Sequence, residues 1–359
     1  MLDKGEIKHL DFMRSRKVCF YNHGDSFRVG TILRDLADSF SECGVKVLWE
    51  DESEKPDAYI FVKVCEKTKY DEIKIIHAEN LIGKQSLFHS YDNADAIVYH
   101  SNWLRQVYRN SFPTELPLWR IIPPAADFLG SLDDTSEIDI VCISKWWKRP
   151  YKRFPLIAEA FTILNTEMGF EKARLHVFGW LTREEKISST VGIWPIVKLS
   201  RRAKTNPNIV YYQKSFHSGR DEYLSKLRNA RLLIHLSVLD SGPQVVTEGM
   251  SCETPMVISN NMGGAEWMRE VGSNCGVVLD LDEVTDSYKA IKKLPLFSRR
   301  LCSNIRPARQ VAEACKMILE NREDYRYTPP LKFRKEGTVN AWFELIWKIH
   351  QQKKVSSTI

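Results

Sequence analysis

Short apolar runs of strand length alternate with amphipathic stretches of helix length through most of this chain, and that alternation restricts the fold more than any other feature. In the first half, residues 17–21 (KVCFY), 45–50, 57–64, 73–77, 94–100 and 119–122 read as strands, with a helix through residue 40 and another over 101–110. In the second half, strands at 138–143, 174–178, 209–212 and 231–236 are interleaved with helices at 154–165 and 222–229. Strand–helix–strand units of this kind build parallel, doubly wound sheets, and ligands lie outside the carboxyl ends of their strands. At 359 residues the chain exceeds what one hydrophobic core usually sustains, so two domains are expected. The polar, acidic stretch SLDDTSE (131–137) falls between the two sets of elements. The expected division is therefore residues 1–134, residues 135–330 and a terminal piece, 331–359. That terminal piece carries a helix over 339–351 with Trp342, Leu345, Ile346 and Ile349 on one face.

Residues 235–268, HLSVLDSGPQVVTEGMSCETPMVISNNMGGAEWM, hold the densest functional pattern. A strand at 231–236 stops at Asp240-Ser241-Gly242-Pro243, and a helix carrying Val245, Val246, Glu248 and Met250 follows. A second strand (255–259) leads to a loop expected around Gly263 and Gly264. The helix N-terminus presents unpaired N–H groups and a partial positive charge, which suits a phosphate. Asp240 and Glu248 are eight residues apart, one at the turn and one about two helical turns along, within reach of one crevice at the sheet edge.

This stretch resembles the donor-binding core of family 4 glycosyltransferases, whose signature has P-S-x-x-E, a second acidic residue eight later, A-M-x-x-G-x-P-V-V and G-G-x-x-E. Ser237, Asp240, Gly242, Glu248, Met250, Pro255, Val257, Gly263, Gly264 and Glu266 fall in register with it. Asp240 replaces the usual Glu, Gly249 the usual Ala, and Glu253 stands where Gly is common. In the first half, ADAIVYHSNWLRQVY and IIPPAADF are similar to further family segments, the latter with Pro124 and Ala125 in place of Asn and Gly. The resemblance implies a GT-B fold, two Rossmann-like doubly wound domains facing an interdomain cleft. The acceptor side would be N-terminal, the donor side C-terminal, and the last helix would cross back to the first domain.

Moving a sugar off a nucleotide diphosphate needs charge stabilisation for the departing diphosphate, which fixed cations or a metal ion can supply. The basic run Ser144-Lys145-Trp146-Trp147-Lys148-Arg149-Pro150-Tyr151-Lys152-Arg153 lies ahead of FPLIAEAF, where the family has G-R-x-x-x-x-K-G before its helix. Lys152 matches the family Lys. Lys145 matches the family Arg if the loop is two residues longer, with Lys148 and Arg149 as competitors. No acidic metal motif stands out; Asp280-Leu281-Asp282 has the spacing but follows the signature, so neither a metal nor another cofactor is expected. By the resemblance, Asp240 contacts hydroxyls of the donor sugar and Glu248 accepts from the ribose. Backbone around Gly242, Pro243, Gln244 and Val245 faces phosphate, and Gly24 matches the turn after the first strand. His77, which ends IKIIH, matches a histidine near sugar and acceptor, and His23, Asp25 and Arg28 lie close to Gly24 in the chain.

The expected function is a retaining, metal-independent glycosyltransferase whose co-substrate is a nucleotide-diphosphate sugar and whose acceptor is a glycan or lipid-linked hydroxyl. A GT-B-shaped binding protein without turnover is the alternative, motivated by the departures at Asp240, Glu253, Pro124-Ala125 and the lengthened loop. Trp146 and Trp147 among cations resemble a base-stacking platform, but they sit where the donor diphosphate belongs, and no nucleic-acid partner is expected. Residues 191–204 (VGIWPIVKLSRRAK) combine apolar and basic side chains suited to peripheral membrane contact, interrupted by Pro195. The net charge of +6 is compatible with any of these anionic partners. Eight scattered cysteines without a CxxC pair, no apolar run of spanning length and no apolar N-terminal core suggest a cytoplasmic setting with reduced thiols.

Overall fold

The inner strands expected from apolar runs are buried on both faces, as parallel strands flanked by helices must be, whereas the strands at the sheet edges are partly exposed. The computed structural model describes residues 7–21, 29–62, 68–78, 93–111, 118–132, 137–143, 152–179, 199–212, 220–238, 240–281 and 305–356. The chain forms two compact units: Met1–Asp127 together with Pro330–Ile359, and Phe128–Pro329. The first division thus falls at Asp127, a few residues ahead of the polar stretch 131–137.

In the first unit, helix α1 (Leu10–Arg14) leads into β1 (Lys17–Tyr21), α2 (Val29–Glu42), β2 (Lys46–Trp49), β3 (Ala58–Val62), β4 (Ile73–Ala78), β5 (Ala96–Tyr99), α3 (Asn102–Ser111) and β6 (Leu118–Ile121). All six strands are parallel, in the order β2-β1-β3-β4-β5-β6. Side chains alternate across the pleat. Val18, Phe20, Ile60, Val62, Ile75 and Val98 face one core, together with Leu33, Leu36 and Phe40 of α2. Cys19, Tyr59, Phe61, Ile76, Ile97 and Tyr99 face the other, with Leu104 and Tyr108 of α3. The terminal helix, Lys335–Ser356, belongs to this unit and adds Val339, Trp342, Phe343, Leu345, Ile346 and Ile349 to the first core. Its entry is fixed by Lys335, whose ammonium pairs with Glu42 at 2.8 Å and Asp127 at 3.1 Å.

The second unit runs β7 (Asp139–Ile143), α4 (Phe154–Glu167), β8 (Arg174–Phe178), α5 (Arg201–Thr205), β9 (Ile209–Tyr211), α6 (Arg220–Asn229), β10 (Leu232–His235), α7 (Gln244–Ser251), β11 (Met256–Ser259), α8 (Gly263–Val271), β12 (Gly276–Leu279) and α9 (Ala308–Glu320). In chain order the terminal helix of the first unit is α10. The sheet is again parallel, ordered β12-β11-β10-β7-β8-β9. Ile140, Cys142, Leu175, Val177, Leu232, Ile234 and Val257 pack against Phe154, Ile157, Phe161 and Leu164 of α4 and Val311, Cys315 and Ile318 of α9. This is the nucleotide-binding order in which the strand sequence reverses between β7 and β10, and ligands of such sheets sit at that reversal.

Two local features depart from the sequence reading. Gly263 and Gly264 open helix α8 instead of lying in a loop. The Gly263 N–H donates to the Asp240 carbonyl at 2.9 Å, and Asp240 bridges Met262, so the chain is already held in place when the helix begins. A Cβ on Gly264 would lie 2.9 Å from Val246 Cγ2 and 3.0 Å from Pro243 Cγ, so glycine lets α8 seat directly against the start of α7. The second feature is Glu253, which adopts a left-handed φ of 53° just past α7. The Thr254 N–H donates to the Gly249 carbonyl and the Glu253 N–H to that of Met250, both at 3.0 Å. These two bonds close a Schellman turn in which glycine is the residue with least strain.

Candidate functional site

Two loops leave the carboxyl ends of β7 and β10, the strands that flank the reversal. The loop after β7 returns at Lys152 and enters α4 through Arg153, whose φ of 52° is left-handed and whose side chain is buried. A non-glycine residue held there costs on the order of 1 kcal/mol, and such strain is characteristic of functional turns. Pro155 at the head of α4 suits its first turn. The loop after β10 carries Asp240 and turns through Ser241-Gly242-Pro243 into α7.

Across this junction the Lys152 ammonium hydrogen-bonds Asp240 Oδ2, with the two side chains only 15% and 17% exposed. His235, the last residue of β10, places Nε2 3.3 Å from the same oxygen. Burial alone would raise the Asp240 carboxyl; the Lys152 charge and the His235 hydrogen bond outweigh it and hold the group well below the usual carboxylate range. The His235 ring is pushed down to about 4 by burial and by Lys152, against the pull of Asp240. It is therefore neutral at physiological pH, and because a carboxylate only accepts, its Nε2–H is the donor.

Glu248, on the second turn of α7, is 2% exposed, with Oε1 3.3 Å from the Arg220 guanidinium at the start of α6. Tyr223, one turn further along α6, has its hydroxyl raised far above the usual value by burial and by the Glu248 carboxylate. Gly242, Pro243, Gln244 and Val245 form the entry to α7, with Pro243 capping the helix and its carbonyl accepting from Val246 N–H at 2.9 Å. One junction thus holds a cation, a constrained carboxylate, a second buried carboxylate with its own guanidinium, and a helix N-terminus whose dipole favours anions. That set can grip a diphosphate and accept hydrogen bonds from hydroxyls. Among the described residues no three His, Cys, Asp or Glu side chains gather as they would around a metal ion.

Residues 137–295 match the model of the family described as glycosyl transferases group 1, a span that contains this whole junction. The fold is similar to that of a glycosyltransferase from Rickettsia africae, at 10% identity and a TM-score of 0.58 over 93% of this chain and 98% of that one. It is likewise similar to Anabaena HepE in complex with UDP and glucose, at 10% identity and a TM-score of 0.55 over 96% and 100%. A pneumococcal O-GlcNAc transferase, in complex with UDP and GlcNAc, aligns with 81% of this chain at 12% identity and a TM-score of 0.49, and the chain spans only 56% of that protein. No curated protein matches the sequence. The likenesses identify the architecture as GT-B, two Rossmann-like units.

Of the residues singled out in sequence, Lys152 and Asp240 are in contact, Gly242, Pro243, Gln244 and Val245 form the turn and the start of α7 that follow Asp240, and Glu248 lies on the second turn of that helix, paired with Arg220. Lys145, with its competitors Lys148 and Arg149, and Gly24, with His23, Asp25 and Arg28, lie outside the described residues, as do 191–198 and Asp282. The sequence reading also gave His77 a role in the chemistry. The structure seats its ring inside the first unit, 2% exposed, edge-on to His100 at 4.6 Å and to Trp342 of α10 at 5.5 Å. Burial pushes its imidazole down to about 3, so the ring is neutral.

Three residues of the junction were given no role from the sequence. Arg220 had a visible clue, a cation in the first turn of a helix, where the dipole disfavours it. Arg153 sits in the basic run, but nothing local announces that its side chain is buried. His235 ends an apolar strand, and its partner is decided by a turn five residues away.

Proposed function

We propose that this protein transfers a sugar from a nucleotide-diphosphate sugar to an acceptor hydroxyl, with the donor bound where β7 and β10 diverge. The observation that carries this reading is the meeting of Lys152 with Asp240 beside the N-terminus of α7. In this reading the diphosphate lies against the α7 N-terminus and shares the Lys152 ammonium. Asp240 accepts from hydroxyls of the sugar, and Glu248 accepts from the ribose once Arg220 turns toward the phosphate. The bond from the anomeric carbon to the diphosphate oxygen breaks, and a bond to the acceptor oxygen forms. The acceptor's proton passes to the departing phosphate oxygen, with attack from the face the diphosphate leaves, so configuration is retained. Asp240 is bound to a cation and a histidine and is a binding group, not a nucleophile. Lys152 supplies fixed positive charge, so the proposed transfer needs no metal. The fold relative HepE, in complex with UDP and glucose, makes UDP-glucose a sensible first donor. The proposed acceptor class is a glycan or lipid-linked hydroxyl; no described helix is long and apolar enough to cross a membrane.

The ion pairs of Asp240 with Lys152 and of Glu248 with Arg220 are also what a donor-free relative without turnover would display. A thermal-shift panel of UDP, GDP, ADP, CMP and their sugar conjugates, followed by turnover of whichever donor binds, separates the readings. A ligand that binds only the folded state raises the melting temperature by mass action. One nucleotide standing out, with sugar release or transfer, supports the enzyme. Binding without turnover on any acceptor supports the silent relative, and no shift at millimolar nucleotide removes the donor site.

A further inference from the structure

The two oxygens of Asp240 are in different situations. Oδ2 is held on both sides, by the Lys152 ammonium and by His235 Nε2 at 3.3 Å, whereas Oδ1 has no hydrogen-bond partner among the described residues. The backbone of Asp240 is pinned as well, through its bridge to Met262 and the Gly263 N–H on its carbonyl. Of the two groups on Oδ2, the lysine is the less constraining, because its ammonium ends a flexible four-carbon stem and is the group that serves the diphosphate. The imidazole belongs to the central strand of the sheet, paired with β7 on one side and β11 on the other, and its ring is 2% exposed.

From this we infer that His235 is a positioning residue for the donor sugar: its Nε2–H holds Asp240 Oδ2 so that Oδ1 is presented to a sugar hydroxyl. The inference rests on the donor-site reading above. Aspartate reaches one methylene less far than glutamate, so its carboxylate has to be aimed from behind if the free oxygen is to meet a hydroxyl at hydrogen-bond distance. The neutral ring does this without adding a second positive charge that would compete for the carboxylate. The nucleotide half of the donor is gripped elsewhere, by the α7 N-terminus and Glu248, so loss of His235 should weaken the hold on the sugar and leave the hold on the nucleotide intact.

The experiment compares the full chain with His235→Leu, which removes the donor, and His235→Gln, which keeps an N–H at similar reach. The probes are UDP and UDP-glucose, or the free nucleotide and sugar conjugate that the thermal-shift panel selects. Affinity for each is measured by calorimetry, turnover by product release, and folding by melting temperature. The expected result is UDP affinity within about two-fold in all three proteins. In His235→Leu, the extra affinity of the sugar conjugate and kcat should both fall by roughly ten-fold or more, as expected when a reacting partner is misplaced by about 1 Å. His235→Gln should restore most of both. A leucine variant with an unchanged conjugate-to-UDP ratio and kcat overturns the inference. So does a loss that affects UDP equally and that glutamine does not repair, because that is the mark of a purely structural histidine. Should His235→Leu not fold, His235→Asn, whose amide is too short to reach Asp240, takes its place. A wild-type chain that binds no nucleotide sugar sinks the donor-site reading itself, an outcome distinct from the others.

Discussion

Replacing Lys152 by methionine keeps the length and apolar stem of the side chain and removes its charge. Asp240 would then be a carboxylate 17% exposed with a single remaining side-chain partner among the described residues, the His235 N–H at 3.3 Å. Removing one member of a fully buried pair costs about 3–5 kcal/mol; partial exposure and the retained histidine lower the expected loss here to about 2 kcal/mol. For a unit of this size that is a drop of roughly 4–8 °C in melting temperature. The pH dependence is the sharper test. In the wild type the Asp240 carboxyl ionises below its unfolded value of about 3.9, so its stabilisation is complete above about pH 4 and fades only as pH falls through the folded value. In the variant the burial that opposes ionisation is no longer outweighed, and the folded carboxyl rises. A group raised above its unfolded value destabilises at neutral pH and recovers on acidification. His235, relieved of the Lys152 charge that lowers it, moves the same way and regains a charged partner. The stability deficit of Lys152→Met should therefore be largest near pH 7 and shrink toward pH 4, and adding Asp240→Asn should recover most of it at pH 7. Thermal melts of the three proteins across this range provide the measurement. A deficit that is flat with pH, or grows in acid, would refute the account of the pair.

Glu253→Gly should stabilise the protein by about 0.5–1 kcal/mol in urea melts, because glycine relieves the left-handed φ of 53° at the small cost of a hydrogen bond from Thr328 at 2.9 Å; a loss would show that side-chain contact outweighs backbone strain. Gly276→Ala should prevent the second unit from folding cooperatively, a loss above about 4 kcal/mol. Its Cβ would sit 1.9 Å from the Met256 carbonyl oxygen at a φ of 137°, with only backbone to move, and a wild-type circular-dichroism melt would contradict this. Glu248→Gln should weaken UDP binding by roughly ten-fold, the worth of a hydrogen bond to a charged group, and calorimetry showing unchanged affinity would remove Glu248 from the donor site. His77→Phe should make the first unit less sensitive to acid. The buried ring has a folded value near 3, below the unfolded value of about 6.5, so its contribution is present above about pH 6.5 and is lost as pH falls toward 3; parallel melting curves for the two proteins between pH 6.5 and 4 would contradict that.

Much of the architecture was legible in the sequence because it follows from local periodicity. Apolar runs such as KVCFY and LLIH, punctuated by amphipathic helices, leave few alternatives to parallel sheets. The apolar stripe of Trp342, Leu345, Ile346 and Ile349 likewise announced the buried face of α10. The helix at 308–320 and the strand at 276–279 were not read, the first following the stretch 282–304 and the second being only four residues long. The departures from the family pattern became intelligible only in three dimensions. A Cβ at Gly249 would lie 2.8 Å from both Leu233 Cδ2 and Met256 Sδ, so those side chains would have to shift to admit alanine, while Glu253 occupies a turn that prefers glycine.

For the site, the sequence by itself determined which side chains carry charge and where helix and strand ends present them. Which of those groups meet was decided by sheet order. Lys152 and Asp240 are 88 residues apart, and they touch because β10 lies against β7 and not against β9, its predecessor in the chain. The turn after β10 brought Asp240 back to His235, and the seating of α10 enclosed His77 beside Trp342. Periodicity is a property of neighbours in the chain and can be read residue by residue. Contacts between loops at the ends of non-consecutive strands depend on how the whole sheet closes, and no local pattern records that.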